Sequence, residues 1–174
     1  NLPVESSNKR FQAASRLLRS PCPFKQQCNF AINNNYSSLL ATEKEAEAYP
    51  AASHWVSSSQ SVTEHHHELC KLYNRYGHSR CDTCTLPPDH LGIQLLFANL
   101  LIEKYLTEAD NEIKAMTGRD LVSFIKNEML GWLPRWADTV TATSKTKCYT
   151  GIAGLIVGGL EDVLDILKDQ KLGL

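Results

Sequence analysis

The chain has 174 residues with 18 basic and 19 acidic side chains and a pI near 6.6, a length that makes one domain or two small ones sharing an interface. Its apolar fraction of 43% and charged fraction of 21% exclude a disordered chain, and a net charge of −1 excludes a dedicated nucleic-acid binder, which needs a basic surface. No apolar run approaches the ~20 residues that a membrane-spanning helix requires; the most apolar window, Gly151 to Leu160, is half as long.

Read in chain order, the apolar spacing is helical almost throughout. Phe11, Ala14, Leu17 and Leu18 predict an amphipathic helix that Ser20-Pro21 ends. A second helix is expected over Ser37 to Ala48, with Leu39 and Leu40 facing inward and Tyr49-Pro50 as its stop. Val62, Leu69, Tyr73 and Tyr76 mark one face of a third, which starts within Ser57 to Ser61 and closes at Gly77. A polar connector, His78 to Leu86, carries Cys81-Asp82-Thr83-Cys84 and runs into Pro87-Pro88. Asp89 is the expected N-cap of the next helix, whose buried stripe is Leu91, Leu95, Ala98, Leu101, Ile102 and Tyr105.

Leu121, Phe124, Ile125 and Met129 give a further helix, and Trp132, Trp136 and Val140 another, with Pro134 tolerated in its first turn. The last helix, or pair of helices, covers Cys148 to Leu167. No stretch alternates as a strand beside a hairpin signal. The expected fold is therefore all-α, a helical bundle in one compact globule. Its two halves are residues 1–86, the N-terminal helices with the connector, and 87–174, the C-terminal helices, joined at the proline-containing hinge. The first half carries a net charge of +2 and the second −3, a difference that any solvated surface can show.

Motifs for catalysis fail one by one. His67-Glu68 begins an H-E-x-x-H pattern, but Lys71 stands where the second histidine belongs. His66-His67-Glu68 with Cys81 and Cys84 has the residue types of a zinc deaminase, yet Arg80 replaces the proline and no strand framework is expected. Gly77-His78-Ser79-Arg80-Cys81 lacks the last glycine of a nucleophile elbow. Gly154, Gly158 and Gly159 precede Leu160 where a phosphate loop needs lysine, so close helix packing explains them better. The chain reads as a non-enzyme that holds no cofactor.

Six cysteines in 174 residues fall below the density of a disulfide scaffold. No basic start followed by an apolar run opens the chain, so a reducing, cytoplasmic setting with reduced thiols is expected. One alternative function stays open: a small zinc- or redox-sensing helical protein. It would use Cys81 and Cys84 with two of Cys70, His65, His66, His67 or His78.

Pro87-Pro88-Asp89-His90-Leu91-Gly92-Ile93-Gln94-Leu95-Leu96-Phe97 resembles the P-x-D-H-(L/I)-x-x-E-L-x-F signature of the TorD/DmsD/NarJ family. Leu72-Tyr73-Asn74-Arg75-Tyr76 is similar to that family's Y-x-R-L-F run. Phe124 through Leu130, followed by Trp132-Leu133-Pro134-Arg135-Trp136, is similar to its F-L-x-x-H-L-x-x-W-x-P-x-F stretch. Segment order agrees over nearly the whole chain. The chain departs from the pattern at Gln94, where glutamate is frequent, and at Met129, where histidine is. Its connector Gly77 to Leu86 is also shorter than the family's usual segment.

The resemblance implies a cytoplasmic chaperone, monomeric or homodimeric and without stable membrane insertion. Such a protein binds the twin-arginine signal peptide, or another segment, of an immature molybdoenzyme, assists cofactor insertion and prevents premature export. The client-binding residues it implies are Tyr73, Arg75, Tyr76, Pro88, Asp89, His90 and Gln94. A basic stretch followed by an apolar helix calls for an apolar groove with a carboxylate at one end. Tyr73 and Tyr76 are the expected walls, Asp89 the expected arginine partner, and His90 a neighbour able to tune that contact.

Overall fold

The computed structural model describes residues 6–23, 27–43, 45–56, 61–78 and 85–169. Among them the chain is all-α, with seven α-helices and no strand beyond one isolated bridge. The helices are α1 (Lys9–Arg19), α2 (Cys28–Leu39), α3 (Val62–Arg75), α4 (Leu91–Thr107), α5 (Asn111–Ser123), α6 (Leu133–Thr143) and α7 (Lys147–Asp169). Packing divides the chain into two units, one from the stretch up to Pro50 with Leu133–Asp165, the other from Ala51–Trp132 with the chain from Ile166 on. The Pro87–Pro88 junction lies inside the second unit.

In the first unit, α1 starts where the Asn8 side chain accepts from the Phe11 amide at 3.0 Å, and it ends at an extended Ser20 ahead of Pro21. Its partner is α7, a single unbroken helix. Gly151, Gly154 and Gly158 lie on one α7 face, and a Cβ at Gly154 or Gly158 would come within 2.8 Å of Ala14 Cβ or 2.7 Å of the Phe11 nitrogen. Gly154 and Gly158 therefore serve close helix approach, as their spacing suggested, with Gly151 beside them, whereas Gly159, expected to do the same, faces no neighbour within 4 Å.

The second helix corrects the sequence expectation of Ser37 to Ala48, since α2 covers Cys28–Leu39 instead. Its interior is anchored by the buried Asn35, whose Oδ1 accepts from the Lys145 and Thr146 amides and from the hydroxyls of Ser144 and Thr146 at 2.8–3.2 Å. After Leu40 the chain turns back, Glu47 and Ala48 donating their amides to the carbonyls of Ser38 and Leu39. Burying Ala48, Tyr49 and Pro50 outweighs the helix propensity of the preceding Ala/Glu run. The indole of Trp136 on α6 donates to the Ala48 carbonyl at 3.0 Å and secures the return.

In the second unit, a single 3-10 turn (Ala52–His54) precedes α3. Ser61 and Glu64 form a reciprocal capping box at the start of α3, and Gly77 at φ +72° follows its end. The helix expected around Leu121 to Met129 is α5, continued by a π-helical turn (Phe124–Met129) in which the Leu130 amide reaches back to the Ile125 carbonyl. Phe97, Leu101, Leu121, Phe124, Ile125, Met129 and Trp132 are fully buried there.

Candidate functional site

The segment Pro88-Asp89-His90 is clipped to the 3-10 turn. Ala51 and His90 form an antiparallel bridge, and the Ala52 amide donates to the Asp89 carbonyl at 3.1 Å. The Asp89 side chain, 0% exposed, accepts from the Ser53 amide through Oδ2 at 2.7 Å. Its Oδ1 stands 2.9 Å from His66 Nε2, at ion-pair distance but out of line for a hydrogen bond. Two expectations change. The N-cap of α4 is His90, whose Nδ1 accepts from the Gly92 amide at 3.1 Å, because the Asp89 carboxylate is turned inward to the 3-10 turn. The same burial leaves Asp89 no oxygen facing solvent, so it is not an open partner for an incoming guanidinium.

His90 is half-buried, and burial lowers its imidazole pKa from the ordinary value, with the charge of Asp89 pulling it partly back. A neutral ring is what the cap needs, since only an unprotonated Nδ1 accepts. His65, one residue before His66 on α3, meets the Glu128 carboxylate at 2.7 Å. The carbonyl of Glu128, at the π-helical turn, accepts from Gln94 Nε2 at 3.1 Å and from the Trp132 indole at 2.9 Å. Gln94 is 0% exposed and its Oε1 makes no hydrogen bond.

Tyr73 ties α3 to the segment. Its buried phenol donates to the Pro88 carbonyl at 2.8 Å, and its ring lies 4.6 Å from Phe97 and 5.5 Å from His78 between centroids. Phe124 joins the cluster 4.9 Å from Phe97, and Tyr76 packs edge-on to Phe97 at 5.8 Å. The Tyr76 phenol donates to Asp120 of α5 at 2.7 Å, and Arg75 Nη1 lies 3.5 Å from the same oxygen. Burial, then the hydrogen bond to Asp120, pushes the Tyr76 pKa up to about 12.

The seven expected residues thus gather around one segment in two kinds of setting. Tyr73, Pro88, Asp89 and Gln94 are buried, whereas His90 and Tyr76 are half-buried and the Arg75 side chain is 64% exposed. Sequence reading missed Ser53, Asp120 and Glu128, contributed by other parts of the chain, and weighed His65 and His66 of α3 only as zinc ligands. Only the histidines left a trace, because 66, 69, 73 and 76 share the helix face already marked by the tyrosines. Two carboxylates here are partly exposed, Asp120 at 28% and Glu128 at 30%.

The zinc alternative rests on Cys81 and Cys84, which lie outside the described residues. Among the described residues no group of three His, Cys, Asp or Glu is arranged to hold a metal ion. No described helix is long and apolar enough to cross a membrane.

Comparison with known proteins gives a family match and three partial relatives. Residues 7–138 match the family model described as nitrate reductase delta subunit. The chain is 22% identical over 134 residues to a protein named Chaperone protein TorD from Photobacterium profundum, covering 76% of this chain and 62% of that one. It is 36% identical over 76 residues to proteins of the same name from Actinobacillus pleuropneumoniae serotypes 3 and 7, covering 43% of this chain and 33% of each. It therefore spans less than two thirds of the length of these relatives. No solved structure matches the chain.

Proposed function

We propose that this chain, which belongs to the nitrate reductase delta subunit family, is a cytoplasmic maturation chaperone for an immature molybdoenzyme. It binds the client's twin-arginine signal peptide or another segment, keeps the client from premature export during cofactor insertion, and carries out no reaction of its own. The observation that carries the reading is the arrangement around Pro88-Asp89-His90. A segment held by buried contacts from two elements, the stretch Ala51–Ser53 and α3, presents His90 beside Arg75 and Tyr76, all of which retain solvent-facing surface. Preorganisation of this kind lowers the ordering cost of binding a peptide.

The parts divide by burial. Asp89, Tyr73, Pro88 and Gln94 position the segment, and the stiff Pro87–Pro88 pair between residues 1–86 and 87–174 sets its entry. Tyr76 and His90 offer the amphipathic contact surface. Asp120, which accepts from Tyr76 and pairs with Arg75, is the carboxylate to which a client arginine adds or for which it exchanges with Arg75. An exposed pair contributes little to stability, so exchange at Arg75 is inexpensive, while a client guanidinium gains a charge-assisted contact.

Titration calorimetry with a synthetic peptide of two adjacent arginines and an apolar helix tests this. Binding to the unmodified chain is expected, with affinity reduced tenfold or more in Asp120→Asn and in Tyr76→Ala while helicity is retained. Unchanged affinity in both variants, or no binding of such peptides at all, contradicts the reading.

A further inference from the structure

The first unit holds a group of thiols that the chaperone reading does not use. Cys22 follows α1 and Cys28 opens α2, and their Sγ atoms lie 3.1 Å apart, in contact but not bonded. Cys22 is exposed and Cys28 half-buried. Both line a cavity of about 180 Å³ whose wall also includes Leu18, Ile32 and a third thiol, Cys148 of α7. Lys147 stands at this corner and donates to the Ser20 hydroxyl and the Pro21 carbonyl at 3.0 and 3.1 Å, fixing the chain just before Cys22.

From this geometry we propose that Cys22 and Cys28 form an oxidation site, a dithiol that low-molecular-weight disulfides of the glutathione type convert to an intramolecular disulfide. The sulfurs need approach by only about 1 Å to reach bonding distance near 2.05 Å, and intramolecular closure on so near a partner outcompetes a second external thiol. In the first step the Cys22 thiolate attacks one sulfur of glutathione disulfide. The S–S bond of glutathione breaks, one glutathione leaves as thiolate and takes up a proton, and Cys22 carries a mixed disulfide.

The Cys28 thiolate then attacks Cys22 Sγ and expels the second glutathione. Two protein thiols lose their protons and two electrons, and one glutathione disulfide becomes two thiols. Cys28 is the less accessible of the pair, and contact with Cys22, then burial, then the charges of Cys22 and Cys148 raise its thiol pKa. Attack on the external disulfide therefore falls to the exposed Cys22, and Cys28 closes the ring.

The chain itself supplies a convenient readout, because Lys25 separates the two cysteines and trypsin cuts between them. The full chain is incubated with excess oxidised glutathione, alkylated, digested without reductant and mapped by mass spectrometry. The expected product is peptide 20–25 joined to peptide 26–44, at least tenfold more abundant than any link involving Cys70, and lost on reduction. The Cys28→Ser variant, of unchanged helicity by circular dichroism, should instead retain one glutathione on Cys22. Glutathione left on both cysteines of the unmodified chain, a link running chiefly to Cys148, or a Cys22–Cys28 link no more abundant than those to Cys70 would overturn the proposal. The outcome is independent of peptide binding, so it stands or falls apart from the chaperone reading.

Discussion

The α1–α7 seam in the first unit and the segment around Asp89 in the second are both tightly buried, and they are built on opposite principles. The seam is apolar and local in code: three glycines on one face of α7 admit Leu18, Ala14 and Phe11 of α1. The Asp89 segment is polar, and its partners Ser53 on the 3-10 turn and His66 and Tyr73 on α3 lie far from it in sequence. In the seam an added methyl is the threat, through overlap. In the Asp89 segment a removed oxygen is the threat, through orphaned partners.

The largest expected effect follows from that second case. Asp89→Ala strips the Ser53 amide of its acceptor and His66 of its carboxylate, and should lower stability by about 3 kcal/mol in urea unfolding. A loss below that of an ordinary surface substitution would mean that the contacts around Asp89 do not organise the segment. Next comes Gly158→Ala, whose Cβ meets the backbone of Phe11 rather than a movable side-chain tip. A loss of about 1–3 kcal/mol is expected from such overpacking. Gly159→Ala sharpens the comparison by reversing the sign. It adjoins Gly158, yet a Cβ there meets nothing within 4 Å, so thermal unfolding should show a gain of about 0.5–1 kcal/mol from helix propensity alone.

The pH response is the finest probe of the polar region. The imidazole of His90 has its pKa lowered by burial in the folded chain, so the unfolded chain binds the proton more readily. The stabilisation is present above the ordinary histidine value of about 6.5 and is lost as the pH falls through the lower folded value. His90→Asn keeps an acceptor for the Gly92 amide and removes the titration, so its stability between pH 7 and 5 should fall less steeply than that of the unmodified chain. Identical slopes would remove His90 from the acid response.

These contrasts explain what the sequence disclosed. Phe11 to Leu18, the Ser61 to Gly77 helix, the helix from Leu91 to Tyr105 and the close approach at Gly154 and Gly158 each follow a local period or cap and were legible. In α4, however, the core takes Ile93, Gln94 and Phe97, while the expected Leu95 and Ile102 are only half-buried. The helix placed at Ser37 to Ala48 was not, because the position of α2 is set by Asn35 binding residues 144–146 more than a hundred positions away. Propensity counts Asn as a weak helix former and cannot see those donors. Asp89 was read as a cap for the same reason: its neighbours in sequence suit that role, and only the fold brings Ser53 and His66 to it. The motif residues lie near one another in the fold, while which of them are buried and which face solvent depended on tertiary burial.

Hydrogen exchange of the full chain with and without a twin-arginine peptide locates the client contact. Slowed exchange is expected in residues 73–78, 86–94 and 111–120 of the second unit, with little change along α1 and the first turns of α7. Protection confined to the first unit, or bound peptide with no protection around Asp89 and Tyr76, would contradict the proposed client contact.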